Sequence, residues 1–126
     1  MVYISNSPRT YKVCLIGDAK IGKTFLIKKL RYKVDPRYEY TSTIGCEVHS
    51  VAMNGNKYII WDMSGNPNTS GLQDGYFIGA QHILIMSPND IFPVKWVEKC
   101  GNIPYTIIDP KITREDLANI LKNAIN

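Results

Sequence analysis

A three-layer α/β sandwich, with helices on both faces of an open, mostly parallel sheet, is predicted by three features of the sequence. A strand runs into a glycine loop and a helix near the start, a hairpin signal follows, and strand and helix patterns alternate after that. In such a sheet the ligand sits at the carboxyl ends of the strands.

The first feature is the run Tyr11-Lys12-Val13-Cys14-Leu15-Ile16-Gly17-Asp18-Ala19-Lys20-Ile21-Gly22-Lys23-Thr24. Val13, Leu15 and Gly17 alternate with Cys14 and Ile16 in a nearly all-apolar stretch, as a parallel strand buried on both faces requires. Gly17 to Thr24 then spells the phosphate-binding P-loop. Gly17 and Gly22 let the backbone turn so that consecutive N–H groups face phosphate oxygens, and the following helix adds its positive N-terminal end. Lys23 is placed to reach the terminal phosphates, and Thr24 to give its hydroxyl to Mg²⁺. The phosphate-contacting span is therefore Gly17, Asp18, Ala19, Lys20, Ile21, Gly22, Lys23, Thr24 and Phe25, with Phe25 opening an amphipathic helix that runs to Arg31.

Residues 32–43 are polar and aromatic without periodicity, and Asp35-Pro36 marks a turn, so a mobile loop is expected there. Glu47–Met53 and Lys57–Asp62 alternate as two antiparallel strands joined by Asn54-Gly55-Asn56. Asp62-Met63-Ser64-Gly65 leaves the second strand, and residues 66–79, rich in glycine and turn formers, read as a second mobile loop with room for a short helix. Gln81–Met86 is a short apolar run, expected as another buried parallel strand, and Ser87-Pro88-Asn89-Asp90 ends it. A short helix is expected after Pro93, with Val94, Val97 and Glu98 at one turn spacing and Trp96 on the adjoining face, stopped by Gly101-Asn102. Pro104–Ile108 reads as the last strand. Thr113-Arg114-Glu115-Asp116 is a capping box for a closing helix whose buried face is Leu117, Ile120, Leu121 and Ala124.

The 126 residues are expected to form one domain, 1–126, with residues 1–10 as a loosely held arm. The net charge of +4 gathers at Lys20, Lys23, Lys28, Lys29, Arg31, Lys33 and Arg37, which favours anionic partners. Outside Lys23 these charges are read as a solvated helix face. Nothing matches a nucleic-acid-reading motif. Cys14, Cys46 and Cys100 are odd in number and lack metal-site spacing, so they are read as reduced thiols of an intracellular, nuclear or cytoplasmic protein. No apolar run approaches the roughly 20 residues a membrane span needs, and neither a signal peptide nor a prenylation cysteine is seen. A monomer without a membrane anchor is expected.

Two further stretches carry a family resemblance. Thr43-Ile44-Gly45-Cys46-Glu47-Val48-His49 resembles the T-L-G-V-E-V-H of Ran, and Asp74-Gly75-Tyr76-Phe77-Ile78-Gly79-Ala80-Gln81 is similar to its D-G-Y-Y-I-Q-A-Q. From Lys12 to about Ser87, and again at Asn102-Ile103-Pro104, the chain resembles the Ran branch of the Ras-like small GTPases. That resemblance implies a P-loop GTPase fold that binds GTP and GDP with Mg²⁺. It also implies transport factors and regulators of Ran as partners, with a link to nucleocytoplasmic transport. Thr43 matches the first-switch threonine that completes Mg²⁺ coordination, and Asp62 and Gly65 match D-x-x-G. Asp62 would hold Mg²⁺ through water and the Gly65 N–H would bond the γ-phosphate. The metal set implied is Thr24, Thr43 and Asp62.

Departures from the family shape the functional expectation. Its water-orienting glutamine is Asn66 here, followed by Pro67, and Ala19 and Lys20 replace two loop glycines. A Cβ at Ala19 crowds the space a catalytic glutamine and an arginine finger need. The guanine-reading N-K-x-D motif is not found. One alignment puts Pro110 to Thr113 in its place. Another pairs Ile108-Asp109-Pro110-Lys111 with the family's I-S-A-K loop, which makes the C-terminal half reduced by a strand and a helix. The expected activity is a weak GTPase, with Lys23 stabilising the transferring phosphoryl group and Asn66 standing as a poor water-orienting residue. The alternative is a pseudo-GTPase that engages Ran partners without turnover.

Overall fold

The computed structural model describes residues 9–17, 23, 26, 39–43, 46–63, 75, 77–88 and 91–125. Its strands are β1 (Thr10–Gly17), β2 (Glu39–Thr43), β3 (Cys46–Met53), β4 (Asn56–Met63), β5 (His82–Met86) and β6 (Tyr105–Ile108). The helices bounded within the described residues are α1 (Val94–Cys100) and α2 (Arg114–Ala124). The strands form one sheet in the order β2-β3-β4-β1-β5-β6. β1 runs parallel to β4 and β5, and β5 parallel to β6, whereas β2-β3 and β3-β4 are antiparallel. The sheet is mixed, with its parallel part around β1.

The alternation along β1 sends side chains into two separate cores. Val13 and Leu15 pack on one face with Leu26, Leu117 and Leu121, whereas Cys14 and Ile16 pack on the other with Phe77, Trp96 and Cys100. A strand flanked by parallel neighbours and covered on both faces has no solvent side, which is why its sequence is apolar almost throughout. α2 covers the first face and α1 the second, giving three layers. The three cysteines are buried thiols outside any disulfide, and burial raises the Cys14 thiol to about 12 and that of Cys100 to about 11, so both stay protonated.

The hairpin forms where expected. Asn54 and Gly55 take φ of 56° and 73°, the left-handed pair of a two-residue turn, between the paired residues Met53 and Asn56. The Asn54 side chain also donates to the Ala118 carbonyl at 2.8 Å, tying the turn to α2. The Thr113 hydroxyl accepts from the Asp116 N–H at 3.1 Å, which caps α2. Gly101 follows α1 with φ of 58°.

Four details differ from the sequence expectation. Glu39–Thr43, expected in a mobile loop, is an edge strand whose pairing runs from Glu39 opposite Ser50 to Thr43 opposite Cys46. Backbone pairing on an edge needs no apolar alternation, so periodicity could not reveal it. Thr10, assigned to the loose arm, starts β1, and Arg9 is held by its N–H donating to Asn56 Oδ1 at 3.1 Å. In α1 the buried pair is Trp96 and Cys100, four apart, while Val94 is 54% exposed and Glu98 exposed. In α2 Leu117 and Leu121 are buried and Ile120 packs beside them, but Ala124 is exposed.

The described end of the second expected loop is fastened. Lys12 lays its ammonium 4.1 Å from the Trp61 ring centroid and donates to the Ile78 carbonyl at 2.7 Å. Phe77 is buried in the second core. The remainder of that loop, and residues 1–8 of the arm, lie outside the described residues. No helix among the described residues is long and apolar enough to cross a membrane.

Candidate functional site

β1 and β4 lie side by side and parallel, so their carboxyl ends open at one edge of the sheet. Gly17 ends β1 with φ of 152°, a conformation that L side chains rarely adopt and that lets the chain leave the sheet sharply. Lys23, helical and 9% exposed, folds back to donate its ammonium to the Gly17 carbonyl at 2.6 Å. A buried cation is thus pinned over the end of the central strand.

Asp62 lies opposite Leu15 on β1 and opposite Glu47 on β3. Its residue is 9% exposed, and among the described residues its Oδ1 accepts no hydrogen bond. Burial pushes the carboxyl up from 3.8 to about 6, the Lys23 ammonium pulls it back, and the Glu47 carboxylate adds to the rise. A buried carboxylate oxygen without a donor, beside a lysine that can hold phosphate, fits a divalent cation bound with a nucleotide.

In metal-free protein that raised carboxyl sets the sign of a pH effect. Between about pH 4 and about pH 6 the folded chain keeps a proton on Asp62 that the unfolded chain has released. Stability therefore falls as pH rises through this window, by up to about 3 kcal/mol at about 1.4 kcal/mol per pKa unit. Urea unfolding with chelator present is expected to show this fall in the wild type and to lack it in Asp62→Asn. Equal pH slopes in the two proteins would contradict the burial of Asp62.

Gly17, Lys23 and Asp62 are brought together as the sequence pattern requires. Thr43 ends β2 opposite Cys46, whose own partner Met63 follows Asp62, so its backbone lies across β3 from the β4 end that carries Asp62. Asp18, Ala19, Lys20, Ile21, Gly22, Thr24, Phe25, Gly65 and Asn66 lie outside the described residues. Asp109, the carboxylate nearest the expected guanine-reading position, uses Oδ1 to accept the Lys111 N–H at 2.7 Å, and its carbonyl accepts from Ile112 at 3.0 Å. Those bonds make it a turn residue after β6.

Sequence reasoning did not assign Glu47 and His49 to the site, yet both face it. His49 Nε2 lies 3.6 Å from Glu47 Oε2, and one ligand atom each from Glu47, His49 and Asp62 lie within 4.8 Å of one another. The signal was present in the hairpin. Counting back from Met53 opposite Asn56 reaches Glu47 opposite Asp62, with His49 two residues away on the same face.

Comparison with known families matches residues 12–105 to the family described as Ras of Complex, Roc, domain of DAPkinase. The matched span runs from β1 to the first residue of β6 and contains Gly17, Lys23, Asp62 and the hairpin. It identifies the Ras-like class broadly, without singling out the Ran branch indicated by residues 43–49 and 74–81.

Proposed function

Because the chain belongs to the Roc family of Ras-like GTPase domains, we propose that it binds a guanine nucleotide with Mg²⁺ at the carboxyl ends of β1 and β4 and turns it over slowly. The observation that carries this reading is the buried Lys23 ammonium, bonded to the Gly17 carbonyl and electrostatically coupled to Asp62. Gly17 opens the phosphate loop, and Lys23, already desolvated, balances charge on the terminal phosphates. Asp62, Thr24 and Thr43 are the residues that would hold Mg²⁺, which when bound neutralises phosphate charge. Asp62 is the one of the three whose side chain is described, and its Oδ1 accepts no hydrogen bond among the described residues. The Gly65 N–H is assigned to the γ-phosphate by its place in D-x-x-G.

Slow turnover follows from Ala19 and Asn66. A methyl group in the phosphate loop crowds the attacking water's surroundings, and Asn66 is one methylene shorter than the glutamine that orients that water in the family. Membership of the Ran branch and a part in nucleocytoplasmic transport rest on the two sequence stretches. A non-hydrolysing interaction module is the second reading, favoured by the missing N-K-x-D motif and by Asp109, whose Oδ1 already accepts from the Lys111 N–H in its own turn.

Calorimetric titration of GDP with and without Mg²⁺ tests the site. The wild type is expected to bind more tightly with Mg²⁺, and Asp62→Asn to lose most of that gain while keeping the metal-independent affinity. A Mg²⁺ effect of the same size in both proteins would remove Asp62 from the metal set.

A further inference from the structure

We propose that Glu47, His49 and Asp62 form a binding site for a transition-metal dication such as Zn²⁺, distinct from the Mg²⁺ set of the phosphate site although it shares Asp62. One ligand atom from each residue already lies within 4.8 Å of the others. The donors are carried on adjacent antiparallel strands, with Glu47 directly opposite Asp62 and His49 two residues along β3, so the sheet holds their spacing. His49 is 2% exposed and Asp62 9%, and Oδ1 of Asp62 accepts no hydrogen bond among the described residues.

The geometry needs little adjustment. With zinc–nitrogen and zinc–oxygen bonds of about 2.0–2.2 Å, tetrahedral ligand atoms stand about 3.4 Å apart. The His49 Nε2 to Glu47 Oε2 distance is 3.6 Å. Closing the remaining gap, of about an ångström, takes small side-chain adjustments, and Glu47, 48% exposed, has solvent beside it to move into. Three protein ligands leave a fourth position for water, the arrangement of open zinc sites. An imidazole in the set selects zinc, cobalt or nickel over Mg²⁺, which prefers oxygen ligands in octahedral geometry. The site does not rest on the nucleotide reading, because Glu47 and His49 play no part in phosphate binding.

Titrating the nucleotide-free chain with Zn²⁺ by calorimetry and with Co²⁺ by absorption tests the proposal. The expected result is saturable binding that persists in excess Mg²⁺. Cobalt should give nitrogen- and oxygen-ligand bands without the thiolate charge-transfer band that the three cysteines would produce. Glu47→Gln, at a half-exposed position that leaves the fold intact, and His49→Gln should each weaken binding at least tenfold, about the smallest effect seen when even a metal ligand's hydrogen-bonding partner is lost. Lys23→Ala should still bind zinc, no more weakly than the wild type because the ammonium beside Asp62 repels a second cation, whatever happens to nucleotide. No saturable binding, a thiolate band, or unchanged affinity in Glu47→Gln would each overturn the site and leave an imidazole–carboxylate contact only.

Discussion

GDP and ADP are expected to compete almost equally against a fluorescent nucleotide for this chain. A site that hydrogen-bonds its substrate rejects an analogue lacking the matching groups by about 10⁴ to 10⁵, because its own buried polar groups are then left unpaired. That capacity depends on a carboxylate that accepts from guanine's N1–H and amino group. The N-K-x-D motif is absent from the sequence, and Asp109 spends Oδ1 on the Lys111 N–H at 2.7 Å. What remains is phosphate recognition by Lys23 and the loop after Gly17, which is common to both nucleotides. A guanine preference above about a thousandfold that collapses in Asp109→Ala would make Asp109 the base acceptor and contradict this account.

Single-turnover GTP hydrolysis should be no faster than the slow intrinsic rates of small GTPases, and an arginine-supplying activating protein of the Ras-like families should add little. In intact sites such an arginine raises the rate by about 10³ to 10⁵, because it completes charge stabilisation around a water already oriented by glutamine. In this sequence Ala19 puts a methyl group where the family has a loop glycine, and Asn66 is one methylene shorter than the glutamine it replaces. Both changes act on the transition state and leave ground-state phosphate contacts in place, so turnover suffers while binding persists. If an activator stimulated the rate by a factor in that range, Asn66 or another residue would be orienting water well.

The parts of the fold that were legible in the sequence are those in which one local rule dominates. β1 declares itself because burial on both faces demands an unbroken apolar run, and the β3-β4 turn because only residues tolerant of positive φ, Asn54 and Gly55, fit a two-residue hairpin. Thr113 is a cap that a side chain enforces on its own. β2 was not legible, since Glu39–Thr43 is held by backbone bonds to β3 and carries no alternating pattern. The seven residues of α1 make too few turns to define a stripe, so the turn spacing of Val94, Val97 and Glu98 did not reveal that packing buries Trp96 and Cys100. For the site, Gly17, Lys23 and Asp62 could be read from motif spacing. Glu47 and His49 join them only through cross-strand register, a relation between segments that no single stretch displays.

Calorimetry of GDP and GTP binding to wild type and Lys23→Ala, in Mg²⁺ and with far-UV circular dichroism to verify folding, tests the central claim most directly. The buried ammonium that bonds the Gly17 carbonyl is the charge that phosphate binding at this site cannot replace. The account predicts Mg²⁺-dependent binding in the wild type and its loss in a folded Lys23→Ala. Unchanged affinity for both nucleotides in that variant would contradict it.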